Sequence, residues 1–238
     1  MGNSKGCIYL IPIVIAESTE ASVIPPYVKP AIEKIDYYLA ENVRTARRYF
    51  SKLKIGKPIE SIQFEVLDKK TDETNIRALL NPVFNGQDVG IISESGCPGI
   101  ADPGAMAVDF AHKNDIVIKP LVGPSSILLA LIGSGLSGQH FAFHGYLPID
   151  KVSRTKTINE LETQSKRKDQ TQIFIETPYR NDQLFSALLS ECRNATRICV
   201  AKDLTGATEL IQTKTVAQWR RKPIQIGKVP TVFLLHAS

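Results

Sequence analysis

Residues 94–104 read Glu94-Ser95-Gly96-Cys97-Pro98-Gly99-Ile100-Ala101-Asp102-Pro103-Gly104, and the fold is decided here. The stretch follows a compact apolar run, 89–93, introduced by the turn-like pair Asn85-Gly86. It leads into a helical pattern over 104–113. Three glycines and two prolines in eleven residues make a poor minimal connector. Glycine lets a backbone approach a ligand closely, and proline fixes the course of the loop. In open α/β sheets ligands bind beyond the carboxyl ends of the strands, where such a loop lies. The alternative is a packed Ω-like loop with only a structural role.

The same arrangement recurs downstream. An expected strand over 116–120 runs into Leu121-Val122-Gly123-Pro124-Ser125-Ser126 and then into an expected helix over 124–133. Amides and serine hydroxyls at a helix N-terminus suit a carboxylate, although simple capping accounts for one of the serines.

Outward from these loops, strands are expected at 7–14 and 62–66, and helices at 30–39, 42–53 and 72–84, the last capped by Thr71 or Asp72. Alternation of this kind specifies a mostly parallel sheet covered on both faces. The rhythm changes after Gly138. Strands are expected at 141–145, 172–175, 197–201, 209–213 and 231–235, helices at 180–191 and 216–220, with a basic polar stretch from Asp150. Strands now outnumber helices, which implies a mixed sheet. The expected fold class is α/β with two α/β domains, an N-terminal one over 1–146 and a C-terminal mixed one over 147–238.

A chain of 238 residues, 43% hydrophobic and 22% charged, can bury a sizeable core. It has no run of about 18 apolar residues, and its first six residues lack a leader pattern. A cytoplasmic protein is expected. Cys7, Cys97, Cys192 and Cys199 form neither a CxxC nor a Cys/His cluster, so no zinc site, no other metal site and no disulfide framework is expected. The net charge of +5 is concentrated. Arg44, Arg47, Arg48, Lys52, Lys54 and Lys57 crowd one segment, and Lys151, Arg154, Lys156, Lys166, Arg167 and Lys168 another. Each group is either a solvated helix face or a grip on phosphates.

Four segments in order carry a family resemblance: Asp102-Pro103-Gly104 after the Gly-x-Pro loop, Gly123-Pro124-Ser125, Ser134-Gly135-Leu136 and Gly145-Tyr146-Leu147-Pro148. Glu176-Thr177-Pro178-Tyr179-Arg180 and Ala201-Lys202-Asp203-Leu204-Thr205 extend it. Together they resemble the tetrapyrrole (corrin/porphyrin) methylase superfamily, and most closely its ribosomal RNA small subunit methyltransferase I branch, which methylates a cytidine ribose 2′-oxygen. The resemblance implies S-adenosylmethionine as cofactor, in a cleft between two α/β domains, and a homodimer. It maps cofactor contacts onto Pro12, Ser95, Gly96, Cys97, Ile100 and Ala101, then Ser125 and Ser126, with Thr177 and Tyr179 as wall residues.

The chain also departs from the branch. After the first strand the branch reads Thr-Pro-Ile-Gly-Asn-Leu, whereas here Ile11-Pro12-Ile13-Val14-Ile15-Ala16 lacks the glycine and asparagine. The usual Glu-Asp-Thr-Arg becomes Glu41-Asn42-Val43-Arg44. Glu41 and Arg44 are the candidates for a base, or a charged group, acting on a ribose hydroxyl of high pKa. The alternative is an ion pair at a helix start. Three functions follow: methylation of RNA, expected with RNA or a ribosomal subunit as partner; methylation of a tetrapyrrole or other small molecule; and a non-catalytic relative that binds cofactor or RNA.

Overall fold

The computed structural model describes residues 5–237; Met1 to Ser4, most of the segment read for a leader, and Ser238 lie outside the described residues. The chain divides into two compact units between Ser125 and Ser126.

The first unit is built on β1 (Cys7–Ile11), β2 (Tyr37–Ala40), β3 (Gln63–Val66), β4 (Val89–Ile92) and β5 (Val117–Pro120), all parallel, in the order β3-β2-β4-β1-β5. Its helices are α1 (Glu20–Val23), α2 (Val28–Glu33), α3 (Val43–Leu53), α4 (Glu73–Leu79), α5 (Asn81–Phe84) and α6 (Gly104–Lys113). The two-residue period of a strand divides the core between the faces. Tyr38, Ala40 and Ile92 pack with Val28 and Ile32 of α2 and Tyr49 and Phe50 of α3. Tyr37, Leu39 and Ile91 pack instead with Ile76, Val83, Ala107 and Ala111 of α4, α5 and α6. Apolar residues on both sides of β2 and β4 are what a parallel sheet covered on both faces requires.

Two expected helices are corrected. The one over 30–39 ends at Glu33, and Tyr37-Tyr38-Leu39-Ala40 is the strand β2. All four of its residues are buried, so it shows no polar-apolar alternation and is easily mistaken for a buried helical run. The one over 72–84 breaks at Leu80 into α4 and α5, with Pro82 in the first turn of α5. Proline lacks the N–H to continue a helix and fits its first turn. The cap expected near Thr71 or Asp72 is Asp72, whose carboxylate accepts from Asn75 N at 2.8 Å.

The second unit comprises α7 (Ser126–Ser134), β6 (Phe141–Tyr146), α8 (Lys151–Lys168), β7 (Thr171–Glu176), α9 (Asn181–Glu191), β8 (Arg197–Lys202), β9 (Leu210–Thr215), α10 (Val216–Arg221) and β10 (Thr231–His236). The sheet runs β6-β7-β10-β8-β9 and is mixed: only the β6–β7 pair is parallel. The compact units therefore divide at Ser125/Ser126, before the change of rhythm that set the expected boundary at 146/147. Two packing relations explain the difference. β6 pairs with β7, and α7 buries Ala130 and Leu131 among Ile173, Cys199 and Val232. The other face of this sheet is closed by α8, α9 and α10, where Trp219 is fully buried and donates Nε1–H to Ile198 O at 2.9 Å.

The basic stretch from Asp150 is the 18-residue helix α8, capped by the Asp150 carboxylate on Ser153 N at 2.8 Å. Its buried line is Arg154, Ile158, Leu161, Glu162 and Ser165. The helical spacing is present, but three of those five residues are polar, which hides the stripe from a hydrophobicity reading.

His236 closes β10 in a buried position, with Nε2 at 3.2 Å from Asp169 Oδ1 and Nδ1 at 3.4 Å from Arg197. Burial first, and the Arg197 charge second, hold its pKa below the ordinary value, against the opposing pull of Asp169. The unfolded chain then binds the proton more readily than the folded one. Stability is full above about pH 6.5, the ordinary histidine value, and falls as pH drops toward the lower folded value. His236→Gln is expected to flatten this loss in urea unfolding midpoints measured between about pH 7.5 and pH 5, the range that brackets that value. Equal pH slopes for wild type and variant would remove the assignment.

Candidate functional site

All five strands of the first sheet point the same way, so the segments leaving β1, β2, β4 and β5 gather along one carboxyl edge. The β4 loop touches each of the other three. Ile13 N, after β1, donates to Gly96 O at 2.9 Å. Asn42 Nδ2, after β2, donates to Glu94 Oε1 at 2.9 Å. The Cys97 thiol donates to Pro124 O, after β5, at 3.4 Å. Asn42 also caps α3, accepting from Arg44 N and Thr45 N at 3.1 and 3.3 Å, so one side chain fixes a helix start and holds the loop.

Glycine is required at two of these points. Gly96 has φ +71°, and a Cβ there would lie 3.3 Å from Pro124 O. A Cβ on Gly123 would lie 2.0 Å from Pro12 Cβ and 2.7 Å from Pro12 Cγ. Pro12 cannot retreat easily, because it is buried and its carbonyl accepts from the buried Tyr49 hydroxyl at 2.9 Å. Pro12, Gly96, Cys97, Gly123 and Pro124 thus form a closely packed knot of backbone. From it the rest of the loop turns outward, braced by Asp102, which takes Gly99 N on both oxygens at 2.9 Å and Gly104 N at 2.7 Å. Ala101 adopts φ +63°, a conformation that costs a non-glycine residue on the order of 1 kcal/mol. Ser95, Ile100 and Ala101 are exposed on this braced loop.

Glu41 lies at the same edge, where its N–H donates to Ile92 O at 3.2 Å. Its carboxyl is pushed above the ordinary range, first by burial, then by the negative charges of Glu94 and Asp102. A hydrogen bond from the Glu94 backbone and the Lys69 charge oppose the shift. A carboxyl held above its ordinary range by burial and like charges marks a candidate acid or base. Arg44 is exposed, and among the described residues no ion pair joins it to Glu41, so the helix-start pairing does not form.

The rest of the basic segment is partly engaged. Arg48 pairs with Glu17 at 3.8 Å, Lys52 with Glu20 at 3.7 Å and Lys57 with Asp36 at 2.6 Å, while Arg47 lies 5.5 Å from the Phe64 ring centre. In the second basic group Arg154 is corrected: it is buried and donates Nη1–H to Ile149 O at 3.1 Å, so it does not face a phosphate.

Ser125 ends the first unit, Ser126 opens α7 in the second, and the downstream candidates Thr177 and Tyr179 belong to that second unit. Thr177 N donates to Glu176 Oε1 at 2.6 Å. Tyr179 is 81% exposed, with Lys228 Nζ over its ring at 5.4 Å from the centre. Asn42, Tyr49, Lys69 and the bracing role of Asp102 were not expected. Of these, Asn42 carried a signal as a cap-type residue at the start of the expected helix over 42–53, and Asp102 as an aspartate before Pro-Gly in a glycine-rich loop.

Loops at the carboxyl edge of a parallel sheet, followed by a mixed-sheet unit, make a two-unit α/β fold. Two solved structures share it: the methyltransferase CobJ (TM-score 0.62, 17% identity, 98% of this chain and 95% of that one) and uroporphyrin-III-C-methyltransferase from Thermus thermophilus (0.56, 14%, 97% and 92%). No family model matches the chain. By sequence it is similar to ribosomal RNA small subunit methyltransferase I of Buchnera aphidicola subsp. Baizongia pistaciae, 28% identical over 88% of this chain and 68% of the relative. The protein of that name from Vibrio cholerae serotype O1 is 24% identical over 98% and 78%. The resemblance read from the ordered motifs is thereby borne out.

Proposed function

We propose that this chain is an S-adenosylmethionine-dependent methyltransferase acting on ribosomal RNA, at a ribose 2′-hydroxyl. The observation that carries the reading is similarity to the small-subunit methyltransferase I proteins along nearly the whole chain. The edge loops are in keeping with it, since Gly96 and Gly123 let the segments after β1, β4 and β5 pack closely at the sheet's carboxyl edge, where ligands of open α/β sheets bind.

Pro12, Ser95, Gly96, Cys97, Ile100, Ala101 and Ser125, all of the first unit, hold the cofactor in this reading. When bound, S-adenosylmethionine supplies a methyl already activated by its sulfonium, so the protein's task is orientation and exclusion of water. Ile100, an exposed apolar residue on the braced loop, suits the flat apolar part of such a ligand. Glu41, whose pKa is raised by burial and by Glu94, accepts the proton of the ribose hydroxyl when it is ionised. Arg44, at the first turn of α3, holds the adjoining phosphate. A cytoplasmic location is part of the reading. A homodimer is part of the reading, supported by α7, where Leu128 and Ile132, four residues apart, are 49% and 79% exposed.

RNA binding is expected to weaken steeply with salt, and less steeply in an Arg44→Ala/Arg48→Ala variant. Removing one phosphate-binding cation lowers the slope of log affinity against log salt by about 0.7 on a single strand. Equal slopes would mean that these arginines form only a solvated helix face.

A further inference from the structure

A planar ring and a cation stand together in the second unit without a part in the reaction outlined above. Tyr179 lies on the single turn Pro178–Arg180 between β7 and α9, and the residue is 81% exposed. A ring so far clear of the protein makes a poor wall for an enclosed cofactor, and a good surface for a base to stack on.

Lys228 Nζ lies 5.4 Å from the centre of that ring. It is carried by the irregular segment between α10 and β10, which is tied down along its length. The Asp182 carboxylate accepts from Ile226 N and Gly227 N at 2.7 and 3.2 Å. The fully buried Asn181 donates Nδ2–H to Gly227 O and Val229 O at 3.1 and 2.7 Å. Lys202 Nζ donates to Ile226 O at 3.2 Å. Asn181 and Asp182 directly follow the Tyr179 turn, so ring and ammonium share one rigid support.

The charge balance singles out Lys228. Its neighbour Arg180 is bound by the buried Glu176 carboxylate, through Nη2 at 2.6 Å and Nε at 3.0 Å. Among the described residues Lys228 has no carboxylate partner in an ion pair. The local surface therefore offers one flat face and one uncompensated positive charge.

We infer that Tyr179 and Lys228 form a docking platform for a nucleotide of single-stranded RNA, the base stacking on the Tyr179 ring and the Lys228 ammonium meeting a neighbouring phosphate. The inference rests on the RNA reading above, and moves Tyr179 from the cofactor wall to the substrate. Stacking of this kind tolerates any base, so the platform strengthens the grip on RNA without choosing its sequence.

The test uses the full chain, a fluorescein-labelled single-stranded RNA oligonucleotide rich in cytidine, and S-adenosylmethionine in separate calorimetry. Tyr179→Ala is expected to weaken RNA binding about 10- to 100-fold, in line with removal of one base–aromatic stack. Tyr179→Phe should stay within about two-fold, since it keeps the stacking ring, and Lys228→Gln should lower the salt slope by about 0.7. Cofactor affinity should be unchanged in all three. Wild-type RNA affinity in Tyr179→Ala overturns the platform and leaves the RNA reading standing. Weakened cofactor affinity with unchanged RNA binding also overturns it, returning Tyr179 to the cofactor wall. Absence of RNA binding by the wild-type chain at low salt removes the RNA reading itself, and the platform with it.

Discussion

Gly123→Ala is expected to lower S-adenosylmethionine affinity at least about 100-fold, because the new methyl would be driven into Pro12. The added Cβ would stand 2.0 Å from Pro12 Cβ, far inside van der Waals distance, with Cys97 Sγ also near at 3.5 Å. A proline ring has no rotamer by which to withdraw. The strain must move the segment after β1 or the segment after β5, and both belong to the packed knot. Overpacking of this kind costs about 1–3 kcal/mol in stability, so the variant should fold with a lowered melting temperature. Gly96→Val should act similarly by another route, since φ +71° is unfavourable for a β-branched residue and Pro124 O is close. Gly138 has open space around its Cβ position, so Gly138→Ala is the matched control and should bind as wild type does. Titration calorimetry with the cofactor decides. Unchanged affinity in Gly96→Val and Gly123→Ala would remove these loops from the cofactor site.

Glu41→Gln is expected to reduce kcat by about 10²- to 10⁴-fold, the usual contribution of a positioned base, with cofactor affinity retained. The pH profile gives the sharper signature. The base must be ionised to accept a proton, so the wild-type rate should fall as pH drops through the Glu41 pKa. Burial and the charges of Glu94 and Asp102 raise that pKa, and the acid limb should stand above the ordinary glutamate value of about 4.3. Glutamine does not titrate, so its residual rate should lack the limb. Glu94→Gln should shift the wild-type limb downward, because one of the two raising charges is gone. An identical acid limb in Glu41→Gln would assign the proton transfer elsewhere.

Much of the fold was legible because parallel α/β units announce themselves through strand-to-loop-to-helix punctuation. The helix after the glycine-rich loop was expected over 104–113 and is Gly104–Lys113. Asn42 and Asp72 are caps of the ordinary kind and mark their helices from sequence alone. What stayed hidden has a common cause. β2 is buried on both faces and loses its alternation, while α8 buries Arg154, Glu162 and Ser165 and loses its apolar stripe. Both signals depend on which neighbours cover the element, and a single sequence does not state that. The site followed the same rule. Pro12, Gly96 and Cys97 meet in one packed knot because each follows or lies beyond a parallel strand. Tyr49, Lys69 and Glu94 reach Pro12 or Glu41 from elsewhere in the first unit, and only the tertiary arrangement brings them there.

The most direct measurement is transfer of a labelled methyl group from S-adenosylmethionine by the purified chain, offered unmodified small ribosomal subunits and, separately, a uroporphyrinogen-type tetrapyrrole. The account predicts label in the RNA of the subunit, at a ribose that resists alkaline cleavage after methylation, strongly reduced by Glu41→Gln and by Gly123→Ala. Label on the tetrapyrrole, or none on either substrate from a chain that binds the cofactor, would contradict it.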